Sequence, residues 1–332
     1  MYVPKILTTI AAATVLLIGG IVNAEKSSAE VIEGVDWTKK VVTATGKGIP
    51  SADSVSSAQA QAFTYKAAQA QCYRNLAEMI NGVRVTGETT IDGMGNKYSK
   101  IKVNVAATIK GAKVIDKKFY GDGSCNVTMQ VPVFGANNSL ARAIFTEKYV
   151  VEPFPNPEGI TTENFDDNTN TQNYPNGGYI MPIDNSKSPL ERLSTDTTIV
   201  KGVTETNPVV KKKSVEEYAA QAKGNYTGLI VDCRGLNLQP VMSPVILNTN
   251  GTKIYGHKNL DVDKIVTSGM VDYVTDLNAV DRAGSNPLTV KAVKLENFNS
   301  NPVLSIEDSN SVLIENHATK FLKDLKVVFL FD

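Results

Sequence analysis

Residues 54–90 read SVSSAQAQAFTYKAAQAQCYRNLAEMINGVRVTGETT, and this stretch decides the fold. Up to Asn81 it is rich in Ala and Gln, with high intrinsic helix propensity. At 100° per residue, Tyr65, Ala68, Cys72, Leu76, Met79 and Ile80 fall on one face, with Ala62 and Gln69 at its edge. That is the pattern of a helix packed on a core. Ser54, Ser56 or Ser57 supplies the cap. Asn81-Gly82 is the stop, because Gly accepts the left-handed cap conformation. The opposite side holds Lys66 and Arg74, but also Phe63, Ala67, Ala70 and Ala77. These last four form the candidate interaction face of a helix that rests on a sheet with its other side. The plainer alternative is a core helix with small residues on its back.

Working outward, Trp37–Gly46 is dominated by Val and Thr and reads as a strand ended by Gly46, Gly48 and Pro50. After the helix, Val83–Ile91 alternates as a strand and Asp92–Asn96 reads as a turn. Ile101–Ile109 alternates again through Ile101, Val103, Val105, Ala107 and Ile109. Ala112–Tyr120 is a further strand, Gly121-Asp122-Gly123 a tight turn, and Asn126–Phe134 the last strand, with Val127, Met129, Val131 and Val133 on one face. The order β-α-β-β-β-β, with short turns, predicts antiparallel pairing under one long helix. This gives an α+β domain over residues 35–149.

Several phrases occur here in a fixed order: T-A-T-G-K-G at Thr43–Gly48, R-N-L-A-E at Arg74–Glu78, I-N-G-V-R-V-T-G-E-T-T at Ile80–Thr90, then G-A-K-V-I-D and V-T-M-Q-V-P-V. Together, over about residues 37–135, they resemble the LPP-twenty envelope lipoprotein family and are similar to the N-terminal domain of flagellar assembly protein T. The resemblance implies a small exported α+β module of the bacterial cell envelope, with no catalytic residues to carry over. The chain departs from the lipoprotein pattern in having no Cys near its N-terminal cleavage region.

Residues 150–213 change character: Pro153, Pro155, Pro157 and many Asn residues leave no hydrophobic period, which reads as a linker. Asp166-Asp167 lacks EF-hand spacing. Thr197–Val203 is at most an isolated strand, and Lys211–Lys213 reads as a solvated linker edge. Residues 214–332 read as a second, mixed α/β, sandwich-like domain. It has a short helix at Val215–Ala222, a strand at Gly228–Cys233 and a hairpin at Pro244–Gly256 turning on a type I′ Asn250-Gly251. A helix near Asp263–Thr267, a strand at Met270–Val274, a helix at Asp276–Ala283 ended by Gly284, and a β-rich Leu288–Leu295 follow. Ser305 or Asp308 caps a helix running to about Phe321. The apolar run Lys326–Phe331 suits a strand buried on both faces.

Lys and Arg number 34 and Asp and Glu 34, so the chain as a whole shows no basic excess that would point to a nucleic-acid partner. Lys5, the seventeen uncharged residues Ile6–Val22 and the Val22-Asn23-Ala24 site read as a secretory signal cleaved after Ala24, with Ala29 as a second site. An uncleaved segment is the one expected route of membrane attachment. Three cysteines allow one disulfide, Cys72–Cys125 being the first pair to test, with Cys233 left over. His257 and His317 are the only histidines, so no metal site is expected. No phosphate-loop spacing occurs, and no cofactor is expected. The expectation is an exported, non-enzymatic cell-envelope protein, binding or assembling with other envelope proteins or a cell-wall component. Two alternatives are an exported hydrolase, using Cys233 or Asp232 with a His as base, and a periplasmic ligand-binding protein.

Overall fold

The computed structural model describes residues 33–51, 56–158 and 215–332. The signal-like residues 1–24, Asp166-Asp167, Thr197–Val203 and Lys211–Lys213 lie outside them.

The long helix forms as the pattern requires. α1 spans Ser57–Asn81, capped by Ser56, whose hydroxyl accepts from the Gln59 amide. Its buried positions are Thr64, Ala68, Cys72, Leu76 and Ile80, a strict every-fourth stripe, while Tyr65 and Met79 are half-buried. Gly82 ends the helix, but in a right-handed conformation (φ −79°) rather than a left-handed one; its amide reaches Glu78 and Ile80 carbonyls. The stripe lies on a four-stranded antiparallel sheet of order β1-β2-β4-β3, made of β1 (Gly34–Asp36), β2 (Val41–Gly48), β3 (Lys113–Phe119) and β4 (Cys125–Pro132). Cys125, Val127, Met129 and Val131 of β4 alternate into the same core.

Three local expectations fail here. Ile101–Ile109 is not a strand but part of α3 (Ser99–Lys110), and the Asp92–Asn96 turn lies inside α2 (Ile91–Lys97). Ile101, Val105 and Thr108 are buried while Val103 is exposed, the helical period rather than the strand period. Val83–Ile91 keeps alternating burial but forms a loop with a single bridge, Arg84 to Thr90. Its extended backbone finds partners elsewhere: Met242 and Ser243 amides donate to the Arg84 and Val85 carbonyls at 3.0 and 2.8 Å. The short helix α4 (Leu140–Ile144) was not anticipated.

The second unit holds two four-stranded sheets. One, β8-β12-β5-β9, is wholly parallel and consists of β8 (Asp272–Val274), β12 (Val327–Leu330), β5 (Gly228–Asp232) and β9 (Pro287–Lys291). The other, β10-β11-β6-β7, is mixed and consists of β10 (Lys294–Glu296), β11 (Asn301–Leu304), β6 (Ile246–Asn248) and β7 (Lys253–Tyr255). β12 is fully buried and interior: Val327 and Phe329 face the main core, Val328 and Leu330 a smaller one with Val280 and Ala283. Burial on both sides is why residues 326–331 carry no alternation. α6 spans Val262–Ser268, and α7, capped by Ser305, spans Ile306–Thr319. The predicted helix at 276–283 is two 3-10 turns, 277–279 and 281–283. The β6–β7 hairpin does not use a type I′ turn. Gly251 alone in the turn has positive φ (82°) and its amide bonds Asn248 O, so a right-handed turn ends on a left-handed glycine; the register shifts further along, between Ile246 and Leu247.

Residues 145–158 correct the expected linker boundary, because they lie against the second unit. The Tyr149 hydroxyl donates to His257 O at 2.6 Å, Asn259 Nδ2 to Pro153 O at 3.0 Å, and Phe154 stacks on Tyr255. Glu158 ends the segment in a socket. Its carboxylate accepts from Asn248 Nδ2 (2.8 Å), Asn250 Nδ2 (2.7 Å) and the Thr252 hydroxyl, and its backbone exchanges two 2.7 Å bonds with the Asn310 side chain. The Asn248 Oδ1 is taken by the Asn250 and Thr252 amides, so its NH2 is turned to the carboxylate. After residue 214 the chain returns on α5 (Val215–Ala219), where Tyr218 stacks on His317 of α7 at 4.9 Å.

Candidate functional site

Four places carry the chemistry that the sequence singled out. The first is a cleft of about 490 Å³ at the seam of the two units, lined by Lys40, Lys264, Ser268, Asp272, Arg282, Asp324 and Leu325. Lys40, from the first unit, sits at φ 57° after β1 and pairs with Asp272 at the start of β8 at 2.6 Å. Arg282 pairs with the same carboxylate and also donates to Ser268, Gly269 and Leu325 carbonyls. Lys40 Nζ also donates to Ser268 O at 3.2 Å, so both cations neutralise the C-terminal end of α6. Burial pushes the Asp272 carboxyl up, but Arg282 and Lys40 more than offset this and hold it below its ordinary value. Lys264 pairs with Asp324 at 3.0 Å. These charges answer one another, so the cleft acts as a joint between the units.

The second place is the carboxyl end of the parallel sheet, where open α/β sheets commonly bind ligands. Here Arg234 closes on Asp232 with Nε–Oδ1 of 2.9 Å and Nη2–Oδ2 of 2.6 Å. Those bonds hold the Asp232 carboxyl below its ordinary range against the opposing effect of burial.

The third comprises the thiols and imidazoles. Cys72, Cys125 and Cys233 are all buried and free, so the expected Cys72–Cys125 disulfide is not formed. Each thiol has a backbone acceptor instead: Ala44 O for Cys72, Asn126 O for Cys125 and Val231 O for Cys233. Burial raises all three thiols, Cys233 to about 12, which keeps them protonated and weakly nucleophilic at neutral pH. His257 packs on Tyr149 and His317 on Tyr218, and burial lowers both imidazoles. Neither lines the cleft or bonds Cys233, so the residues of the hydrolase alternative are not brought together. Among the described residues no cluster of three His, Cys, Asp or Glu is disposed to hold a metal.

The fourth is the back of α1. Phe63, Ala67 and Ala70 are exposed and Ala77 is half-buried. Beside them lie Lys66 and Arg74. The exposed strand β3 lies on the sheet side of the helix instead, with Lys117 Nζ 5.3 Å from the Tyr65 ring, and sequence reasoning missed it as an exposed sheet edge. Its K-V-I-D-K-K-F order, with no clean apolar alternation, was the signal available.

By fold, then, this is an α+β protein of two units, an α1-covered antiparallel sheet and a double-sheet unit containing a parallel sheet. A family model for the second domain of Treponema pallidum Tp0624 matches residues 228–332. The match opens on the first residue of β5 and includes both sheets of the second unit. Comparison with curated proteins returns no match. Among the described residues no helix is long and apolar enough to cross a membrane.

Proposed function

We propose that this is an exported, non-enzymatic protein of the bacterial cell envelope, and that it works by binding or assembly through its first unit. One observation carries the reading: α1 is buried along one stripe while Phe63, Ala67 and Ala70 on its back are left uncovered. A 25-residue helix with an aromatic and small residues on its open side suits contact with another protein. The signal-like residues 1–24 and the LPP-twenty resemblance of residues 37–135 support the compartment. The self-satisfied cleft, the closed Asp232–Arg234 pair and the inert thiols support a non-catalytic role.

A photo-cross-linking residue placed at Ala70 in living cells tests this. The expected result is one discrete adduct in the envelope fraction from Ala70 and none from the same residue at Leu277, which is also exposed, on the second unit. Identical adducts from both positions, or none from Ala70, would overturn the reading.

A further inference from the structure

The first sheet ends on β3, all seven residues of which are exposed. Among the described residues it is the longest strand at a sheet edge: β1, β7, β8 and β10 have three residues each and β9 has five. The backbone groups on its outer side form an open ladder ready to pair with another extended chain. Val114, Ile115 and Phe119, with Tyr120 just beyond, leave apolar surface along it. Val114, Lys117 and Phe119 pair with Met129, Val127 and Cys125, on the face that α1 covers. Lys117 Nζ lies 5.3 Å from the centre of the Tyr65 ring of α1 and 5.9 Å from that of Phe119, while Lys118 Nζ lies 5.3 Å from Tyr120. The edge thus runs beside α1 with its aromatics and ammonium groups turned to solvent.

Charge selects the partner. β3 carries Lys113, Lys117 and Lys118 against Asp116, and residues 33–145 carry fourteen Lys and Arg against eight Asp and Glu. A two-fold antiparallel pairing of β3 with a second copy would place a residue opposite itself, Lys117 on Lys117 or Asp116 on Asp116 near the strand centre. Like charges opposite one another oppose self-association. The same lysines attract an acidic strand. We propose that β3 is the docking edge for an extended acidic segment of another protein, which adds one more strand to the sheet through backbone bonds and sets its carboxylates on Lys113, Lys117 and Lys118. This deepens the binding role proposed above, and rests on it only for where the partner resides.

The test uses the full chain and a labelled peptide of repeated Glu-Glu-Val-Val, whose carboxylates fall on both faces of an extended strand, followed by fluorescence anisotropy. Binding should saturate, and should weaken about tenfold or more in the double variant Lys117→Glu, Lys118→Glu. The exposed pair Lys100→Glu, Lys102→Glu on α3 is the charge-matched control and should leave binding unchanged. A peptide with Lys in place of Glu should not bind. One with Pro in place of alternate Val keeps its charge, lacks donors and should also fail. Equal binding of the Pro peptide, equal weakening by the α3 control, or binding of phosphatidylglycerol vesicles without binding of the peptide would each overturn the proposal. The assay is indifferent to cellular location, so a failure of the export reading leaves it standing.

Discussion

Gly46 and Gly48 show how single residues set this fold. A Cβ on Gly46 would overlap Ala68 O and Cys72 N, and one on Gly48 would overlap Thr64 O, so α1 rests directly on the β2 backbone. In the sequence these glycines read as the end of a strand; they lie in it, and their role is close approach of helix to sheet. Gly46→Ala should therefore destabilise the protein by about 3 kcal/mol in urea unfolding, at the upper end for overpacking. Gly121→Ala, with open space around it, should change stability by less than about 0.5 kcal/mol. Lys40 and Asp272 act at the same scale across the seam. Since Asp272 is held below its ordinary value, its contribution is present above the unfolded pKa, about 3.9, and is lost as pH falls through the lower folded value. Wild type should lose more stability below about pH 4 than Asp272→Asn does, as read from unfolding curves over that range.

Among the elements, α1 was legible because its period repeats over seven turns of helix, and β12 because it has no polar face at all. α3 was not. Ile101, Val105 and Ile109 satisfy a period of two and a period near four alike, and Val103 and Ala107 separate them, through an exposure the sequence does not state. The two readings make different predictions. In a strand Val103 and Val105 share a face and respond alike. In α3, Val105→Ala should cost about 1–3 kcal/mol by loss of a buried side chain, while Val103→Ala should be neutral or stabilise by a few tenths of a kcal/mol through helix propensity. Thermal unfolding of the two variants side by side decides it. The strand expected at Val83–Ile91 was misread for another reason: its backbone partners, Met242 and Ser243, lie in the other unit, and pairing across so long a sequence separation leaves no local signal. For the candidate surface, the exposed back of α1 was legible from its composition. The neighbouring β3 edge was not, since which strand ends a sheet is a property of topology.

For the whole molecule, the described residues of the two units are in direct contact. Trp37 of the first unit packs edge-on to Tyr273 at 5.6 Å, Gly135 donates to Val266 O at 2.8 Å, and Met242 lies in the first unit's core. On either side of residues 159–214, Glu158 lies on Asn310 and Tyr218 of α5 on His317, both in α7. These two positions are about 10 Å apart along the helix. Replacing residues 160–213 by a short Gly/Ser linker should therefore leave the melting temperature within about 2 °C. A larger fall, or separate melting of the two units, would show that this stretch carries the joint. The central claim, an envelope protein that binds rather than catalyses, is tested most directly by fractionating cells that express the full chain with a C-terminal tag and weighing the tagged product. The account predicts a chain in the envelope fraction whose N-terminus is Glu25, following cleavage after Ala24. An intact chain beginning at Met1 and found in the cytoplasm would contradict it.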